Sequence, residues 1–102
     1  MSLNLRTVIV TTTPYTISTN DDVIFVNVTS GPSSIILPTS GADGSNKRSF
    51  YIKDYSGTSL TNPITITAPS GKLINGVSFA MLNGAYSHIQ IVYDGTNWMT
   101  IA

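Results

Sequence analysis

Short apolar segments separated by turn residues run along the whole chain. The clearest is Ile64-Thr-Ile-Thr67, where apolar and hydroxyl side chains alternate with the period of two that is typical of a half-buried strand. Two other segments, Val8-Ile-Val10 and Val23-Ile-Phe-Val26, are apolar at successive positions, which indicates strands that are covered on both faces. In a chain too short for a three-layer fold, we expect another subunit to provide the second cover.

The same pattern predicts eight or nine short strands and no helix of useful length. The predicted strands are Arg6–Thr12, Tyr15–Ser18, Val23–Val26, Ser34–Leu37, Ser49–Tyr55, Ile64–Thr67, Phe79–Leu82, Tyr86–Tyr93 and Trp98–Ile101. Asn75-Gly76 and Asp94-Gly95 are strong hairpin signals, and Thr39–Arg48 is the longest polar loop. This spacing predicts a single domain over residues 1–102, built as a small antiparallel β-sandwich, a β-prism or a jelly-roll-like knob.

The composition supports an all-β fold and changes the picture of its surface. The 102 residues include 14 Thr, 13 Ser and 8 Asn but no Glu, so strand and turn formers replace helix formers. Only 10% of the residues are charged and the net charge is zero, which argues against a nucleic-acid or polybasic membrane contact. Because so few charges oppose association, we expect the chain to bind copies of itself.

The chain contains no cysteine, which excludes disulfides, thiolate zinc sites and thiol nucleophiles. No apolar run approaches the length of a membrane span, and the N-terminus lacks the apolar core of a signal peptide. Met1-Ser2-Leu3 has the form of an expression-vector remnant and does not enter these predictions. We therefore expect no membrane insertion, and a chain that reaches the outside of a cell within a larger protein or particle.

The titratable residues form no recognisable catalytic or metal-binding signature. His88 is the single histidine and is expected on the more polar face of its strand with Gln90; no Gly-x-Ser-x-Gly turn accompanies it. The alternative is a stack of three His88 side chains around a symmetry axis that binds a metal ion. The aspartates, which fit structural capping better than a glycosidase pair, are Asp21, Asp22, Asp43, Asp54 and Asp94. We predict no enzyme, cofactor or metal.

Two weaker matches have simpler interpretations. Asp43-Gly44-Ser45-Asn46 offers oxygen ligands, but the spacing and closing Glu of a calcium loop are missing, which favours a turn. Asn27-Val28-Thr29 fits a glycosylation sequon, but it lies in a predicted strand of a Thr-rich chain. Neither match changes the functional prediction.

The aromatic residues are the best candidates for binding. Tyr93 and Trp98 flank a predicted hairpin and are expected to pair across the strands in the core. Tyr51 and Tyr55 lie opposite Phe50 on their strand, so they are candidate surface contacts together with His88. An alternative function is a monomeric carbohydrate-binding sandwich that stacks sugars on Tyr51, Tyr55 or Trp98.

The order of several motifs resembles a known type of viral protein. These motifs are Leu37-Pro38, Phe50–Gly57, Asn62–Thr67, Ile74–Gly76 and Asp94–Trp98. Over roughly Val23 to Ile101 the chain resembles a β-rich module of tail fibres, tail spikes and capsid-decorating fibres of phages and other large double-stranded DNA viruses.

The resemblance implies a C-terminal head or knob of a longer fibre protein on the virion surface. Such modules are usually homotrimers that end the shaft or contact a host-surface glycan or protein receptor. The family offers no catalytic residues to transfer, and the sequence shows neither the extended β-helical repeat nor the acid pair of long tail spikes. We therefore expect a structural, adhesive domain, with the carbohydrate-binding module and a small glycan hydrolase as its rivals.

Overall fold

The computed structural model describes residues 5–18, 21–38, 49–69, 71–93 and 96–101. These residues form nine strands and no helix, and therefore no apolar helix of membrane-spanning length. The strands are β1 (Thr7–Val10), β2 (Tyr15–Thr16), β3 (Val23–Val26), β4 (Ser33–Ile36), β5 (Ser49–Asp54), β6 (Ile64–Thr67), β7 (Phe79–Leu82), β8 (His88–Tyr93) and β9 (Trp98–Ile101). The all-β prediction is confirmed, and each predicted strand overlaps one of these nine strands, although several of the observed strands are shorter than predicted. The Thr39–Arg48 loop, Met1–Leu3 and Asp94-Gly95 lie outside the described residues.

The strands form two sheets that face each other across the core. The five-stranded sheet has the order β1-β3-β5-β8-β9, and the four-stranded sheet has the order β2-β4-β6-β7. The first six strands alternate between the sheets, so β1–β2, β3–β4 and β5–β6 make three successive turns of a solenoid. We call these turns coil 1, coil 2 and coil 3. Strands of neighbouring coils pair in parallel, with Thr7 opposite Val23 and Val23 opposite Tyr51.

The predicted antiparallel arrangement is therefore wrong for the coils. The pairs β1–β3, β3–β5, β2–β4 and β4–β6 are all parallel. Parallel strands need a crossover connection, and in each coil that crossover contains the strand in the other sheet. Turn residues in the sequence mark where the chain changes direction, but not whether it returns to the same sheet. Only the C-terminal pairs β5–β8, β6–β7 and β8–β9 are antiparallel.

Aligned aliphatic side chains from successive coils fill the space between the sheets. In the five-stranded sheet one inward row passes from Val8 through Ile24 to Ile52. In the four-stranded sheet Ile35 and Ile66 are adjacent and fully buried. Because parallel strands in register place like positions side by side, the coils share one continuous core.

Trp98 closes this core near the C-terminus. Its ring centroid lies 5.1 Å from that of Tyr93 and 5.9 Å from that of Phe50, and no part of the residue is exposed. Tyr93 and Trp98 are also direct partners across β8 and β9. The predicted cross-strand pair is thus confirmed. Because Trp98 also contacts Phe50 in β5, the pair packs the antiparallel strands against coil 3.

Asn75 and Gly76 form the tight turn predicted from their sequence. Both have positive φ angles, +51° and +84°, as a two-residue type I′ hairpin requires. Ile74 and Val77 exchange backbone hydrogen bonds across the turn. The second predicted turn, Asp94-Gly95, lies outside the described residues, although the strands that flank it pair as a hairpin does.

Candidate functional site

The outward side of the five-stranded sheet is mainly apolar. Its strand register places Ile9 beside Phe25, Val23 beside Tyr51, and Val92 beside Met99. We call this surface the apolar face, and it consists of Ile9, Val23, Phe25, Tyr51, Val92, Met99 and Ile101. These residues alternate along each strand with inward residues, so they lie outside the core, although they have the composition of a core.

Much of this apolar surface is accessible in the single chain. Ile9 and Ile101 are 51% exposed, Met99 is 45% exposed and Tyr51 is 43% exposed. Among the outward positions of these five strands, only Lys53 carries a permanent charge. The outward residues Ser49 and Gln90, which share a hydrogen bond (3.1 Å), lie between Tyr51 and the apolar residues of β9, so the apolar surface has two parts. Exposed apolar patches are characteristic of interaction sites.

The outward side of the four-stranded sheet has a different composition. Thr16, Ser34, Thr65 and Thr67 lie there around the half-buried Ile36. We call this surface, made by those five residues, the hydroxyl face. The edge strand β7 borders it with two exposed apolar side chains, Phe79 and Met81.

The structure brings the three candidate contact residues to the same side of the molecule. Tyr51 belongs to the apolar face. His88 is exposed and pairs with Lys53 across β5 and β8. Tyr55 follows β5 directly, and its ring lies 5.7 Å from the ring of Phe25 in an edge-to-face arrangement. The three residues chosen from the sequence are therefore exposed neighbours of one surface.

A strained tyrosine borders this surface and was not singled out from the sequence. Tyr86 has a φ of +57°, and its ring lies so close to Gly57 that an added β-carbon there would meet it at 2.5 Å. Lys53 donates a hydrogen bond to the Tyr86 carbonyl (2.6 Å), and its Nζ lies 5.9 Å from the centre of the Tyr86 ring. The prediction that Tyr86 begins a strand is wrong, because β8 starts at His88.

Asp54 holds the loops that carry Tyr55 and Tyr86. It is 1% exposed and accepts hydrogen bonds from the backbone amides of Gly57 (3.1 Å), Ser59 (3.0 Å) and Tyr86 (3.0 Å). Burial alone raises the pKa of this carboxyl, but the bonds from Ser59, Tyr86 and Gly57 outweigh it and hold the pKa below its usual value. Asp54 is therefore a structural anion that joins the β5–β6 connection to the β7–β8 connection.

The other described aspartates also accept hydrogen bonds within the fold. Asp22 accepts bonds from the Arg6 backbone amide (2.8 Å) and from the Arg6 side chain (3.3 Å). Asp21 accepts a bond from the Tyr15 hydroxyl (2.6 Å), and burial together with this contact raises the pKa of Tyr15 to about 12. Asp43, Asp94 and the calcium-like segment lie outside the described residues.

The structure bears differently on the predicted roles of Trp98 and of His88. Trp98 is fully buried, so its proposed use as a sugar-stacking platform is wrong. Within the described part of the chain, no three metal-ligating side chains lie close enough to hold an ion. The His88 stack needs copies of the chain and stays a prediction.

Comparison with protein-family models and with curated proteins finds no match for this chain.

Proposed function

We propose that this chain is a structural and adhesive domain of a virion fibre, a homotrimeric head at the C-terminal end of a longer fibre protein. The apolar face is the observation that carries the proposal. In a head of this kind, the apolar faces of the copies pack together. The loops and the junctions between copies are left to contact a host-surface glycan or protein.

The magnitude of the hydrophobic effect explains why a whole face is needed. Burying an aliphatic side chain completely contributes about 1.5–3 kcal/mol, so half-exposed side chains such as Met99 and Ile101 contribute about half of that each. Association costs at least about 4 kcal/mol in lost translational and rotational freedom. One or two residues cannot offset this cost, whereas apolar residues distributed over five strands can.

The charge distribution is compatible with the packing of identical faces. Lys53 is the one permanent charge among the outward strand positions, and it already contacts the Tyr86 carbonyl at the margin of the face. Copies that meet through this surface therefore bring few like charges together. Three copies would also present three weak host-binding sites, which increases binding to a repetitive surface through avidity.

The proposed function is not enzymatic. Asp54, Asp22 and Asp21 are engaged as hydrogen-bond acceptors that join segments of the fold. Their environments support structural roles in preference to general acid or base catalysis.

The mass of the purified chain in solution tests the proposal. Light scattering should give three times the mass of one chain, and Met99→Lys should shift the distribution to single chains because it places a charge in the packed face. Met81→Lys is the matched control, since Met81 is 44% exposed beside the hydroxyl face, compared with 45% for Met99. This control should leave the trimer intact.

A native chain that remains a single copy at high concentration would contradict the proposed trimer. Equal losses of mass in the Met99→Lys and Met81→Lys variants would show that the apolar face is not the interface. Adding Ile101→Lys to the first variant and Phe79→Lys to the control extends the comparison to both outward residues of each strand.

The exposed tyrosines support a second candidate function, a carbohydrate-binding module that acts as a monomer. Tyr55 and Tyr86 are 49% and 58% exposed, and rings of this kind can stack on the apolar face of a sugar. Glycan-array binding by a single chain, lost in the Tyr51→Ala and Tyr55→Ala variants, would favour this function over the fibre head.

A further inference from the structure

The two ends of the solenoid are finished differently. At the C-terminal end, the segment from Leu73 to Asn75 lies along the outer edge of β9. The Trp98 amide donates to the Leu73 carbonyl (2.9 Å), and the Asn75 amide donates to the Trp98 carbonyl (3.0 Å). The Thr100 amide donates to the side-chain oxygen of Asn75 (3.1 Å). This edge of the five-stranded sheet is therefore occupied.

At the N-terminal end, β1 and β2 are the edge strands of their sheets. The carbonyls of Arg6 and Val10 accept bonds from coil 2, since the Val23 amide (3.0 Å) and the Asn27 amide (2.8 Å) donate to them. Alternate residues of a parallel strand direct their N–H and C=O groups to opposite sides, so Thr7 and Ile9 direct theirs to the outer edge. Among the described residues, no strand and no backbone hydrogen bond lies against that edge.

The second strand of coil 1 is open in the same direction. The Ile17 amide donates to the Ile36 carbonyl (2.9 Å), which identifies the side of β2 that faces coil 2. By the same alternation, Thr16 directs its backbone groups outward. Within the described residues, both strands of coil 1 thus present an unpaired edge at the same end of the molecule.

Coil 1 has the sequence and the burial of a coil that lacks one neighbour. Its strand β1, Thr-Val-Ile-Val, contains none of the charged residues or prolines that usually protect an edge strand from pairing. Two of its inward side chains, Val8 and Tyr15, are half-buried, whereas their partners Ile24 and Ile35 in coil 2 are completely buried. Val10 and Ile17, at the other inward positions of coil 1, are buried. An additional coil would cover Val8 and Tyr15 in the way that coil 1 covers Ile24 and Ile35.

We propose that the β1–β2 end is a stacking site for a further parallel coil, supplied by the polypeptide that precedes Leu5 in the parent fibre protein. The order of the stack gives the source of this coil. Because β1, β3 and β5 are arranged in chain order, the position beyond β1 belongs to a segment that comes before it. The inward positions of this segment are aliphatic and contact Val8 and Tyr15.

A second copy of the domain fits this end less well. The opposite end of another molecule offers the free edge of β7, but the edge of β9 is covered by the Leu73–Asn75 segment. It cannot therefore supply both strands of a coil. The proposed stacking rests on the placement of this domain at the end of a fibre, but not on self-association through the apolar face.

Hydrogen exchange of the native chain is the first test. The amides of Thr7, Ile9 and Thr16 should exchange rapidly, while those of Val8 and Val10, which face coil 2, should be protected. Protection of Thr7 and Ile9 at every protein concentration would show that the edge is already covered. Protection that appears only as the concentration rises would assign the edge to a second copy. Either result would overturn the proposal.

An engineered extension of the full chain is the second test. A tandem copy of residues 5–22 placed before Leu5 should slow the exchange of the Thr7 and Ile9 amides by about 100-fold, as expected when an edge amide enters a ladder. The control is the same extension with asparagine in place of the copied Val8, Val10 and Ile17, which should not slow exchange.

A second extension, copied from residues 21–38, provides an independent coil sequence in case the first extension does not fold. If neither extension protects Thr7 and Ile9 while the amides of β5 remain protected, the stacking site does not exist. Repeating the measurements with Met99→Lys separates this inference from the proposed trimer. The exchange pattern of β1 should be the same in that variant whether or not the chain associates.

Discussion

The apolar face and the hydroxyl face belong to sheets that share one core, but their outward residues differ in composition. The outward positions Ile9, Phe25 and Met99 carry large apolar side chains, whereas Thr65 and Thr67 carry hydroxyls at equivalent positions of the other sheet. Threonine satisfies a strand as well as the apolar residues do. Folding alone therefore does not require the apolar composition of the first face, which is consistent with the association that we propose.

The support beneath the two faces differs in the same way. Phe50, Tyr93 and Trp98 pack as an aromatic group under the apolar face, while Ile64 and Ile66 line the inner side of the hydroxyl face. This ring group packs under β9, the strand that carries Met99 and Ile101. The inward residues of the four-stranded sheet are mainly aliphatic, and Tyr15 is the aromatic one among them.

Removing the aromatic support should give the largest effect. Trp98→Ala should lower the free energy of unfolding by about 4 kcal/mol, because it deletes a fully buried indole and leaves a cavity. It should also reduce association, since β9 carries two residues of the apolar face. Denaturant unfolding and light scattering measure the two effects.

Ile66→Ala is the comparison on the other sheet. It should destabilise by about 3 kcal/mol, because it also empties a buried site, but it should leave the apolar face in place. If, at equal fraction folded, Ile66→Ala reduced association as strongly as Trp98→Ala, the aromatic packing under the apolar face would have no special role in association.

Asp54→Asn should give the next largest effect. We expect a loss of about 3 kcal/mol at neutral pH, because an amide cannot accept all the bonds that Gly57, Ser59 and Tyr86 donate to the carboxylate. The chain should unfold at a lower denaturant concentration, and Tyr55 and Tyr86 should lose their fixed positions beside the apolar face.

The pH dependence of this variant gives an independent readout. Because folding lowers the pKa of Asp54, its stabilisation is complete above the ordinary value of 3.8 and is lost as the pH falls through the lowered value. The native chain should therefore lose this part of its stability below about pH 4. Asp54→Asn should lack that loss, and equal slopes in the two proteins would contradict the role assigned to the carboxylate.

The periodicity of the sequence was sufficient to locate the strands, because each strand depends on local alternation and on nearby turn residues. Ile64–Thr67 and the Asn75-Gly76 turn are examples in which side-chain pattern and backbone requirement coincide. Sheet topology depends on contacts between distant segments. The pairing of Val23 with Tyr51 leaves no local signal, since a parallel or an antiparallel neighbour would need the same residues.

The candidate site was predictable in part for the same reason. Tyr51, Tyr55 and His88 could be assigned to exposed positions from strand alternation alone. The role of Asp54 could not, because its donors come from two connections that meet only in the folded chain. The contact between Gly57 and Tyr86 likewise depends on two loops that are distant in sequence.

Two glycines test how firmly Tyr86 is held beside the apolar face. Gly57 and Gly71 both have positive φ angles, +77° and +80°, but only Gly57 lies against the Tyr86 ring. Gly71→Ala should cost about 1 kcal/mol for its backbone conformation, and Gly57→Ala about 2 kcal/mol because the ring must also move. Denaturant unfolding of both variants measures the difference.

Removing the ring should remove the excess. In the double variant Gly57→Ala, Tyr86→Ser, the penalty of the alanine should fall to that of Gly71→Ala, as a double-mutant cycle for contacting residues predicts. An unchanged penalty would mean that the ring does not constrain Gly57.

The smallest effect on stability should come from replacing one outward residue of the apolar face with the type of residue found on the hydroxyl face. Tyr51→Thr should change the free energy of unfolding of the dilute, dissociated chain by no more than about 0.5 kcal/mol, because Tyr51 is 43% exposed and threonine suits a strand. Association should nevertheless weaken, because the variant removes a large ring from the middle strand of the apolar face. The reciprocal change, Thr65→Tyr, adds a ring to the hydroxyl face and should leave the mass in solution unchanged. If Tyr51→Thr destabilised the single chain and left association intact, the exposed ring would serve the fold and not the interface, and the contrast between the two faces would lose its functional meaning.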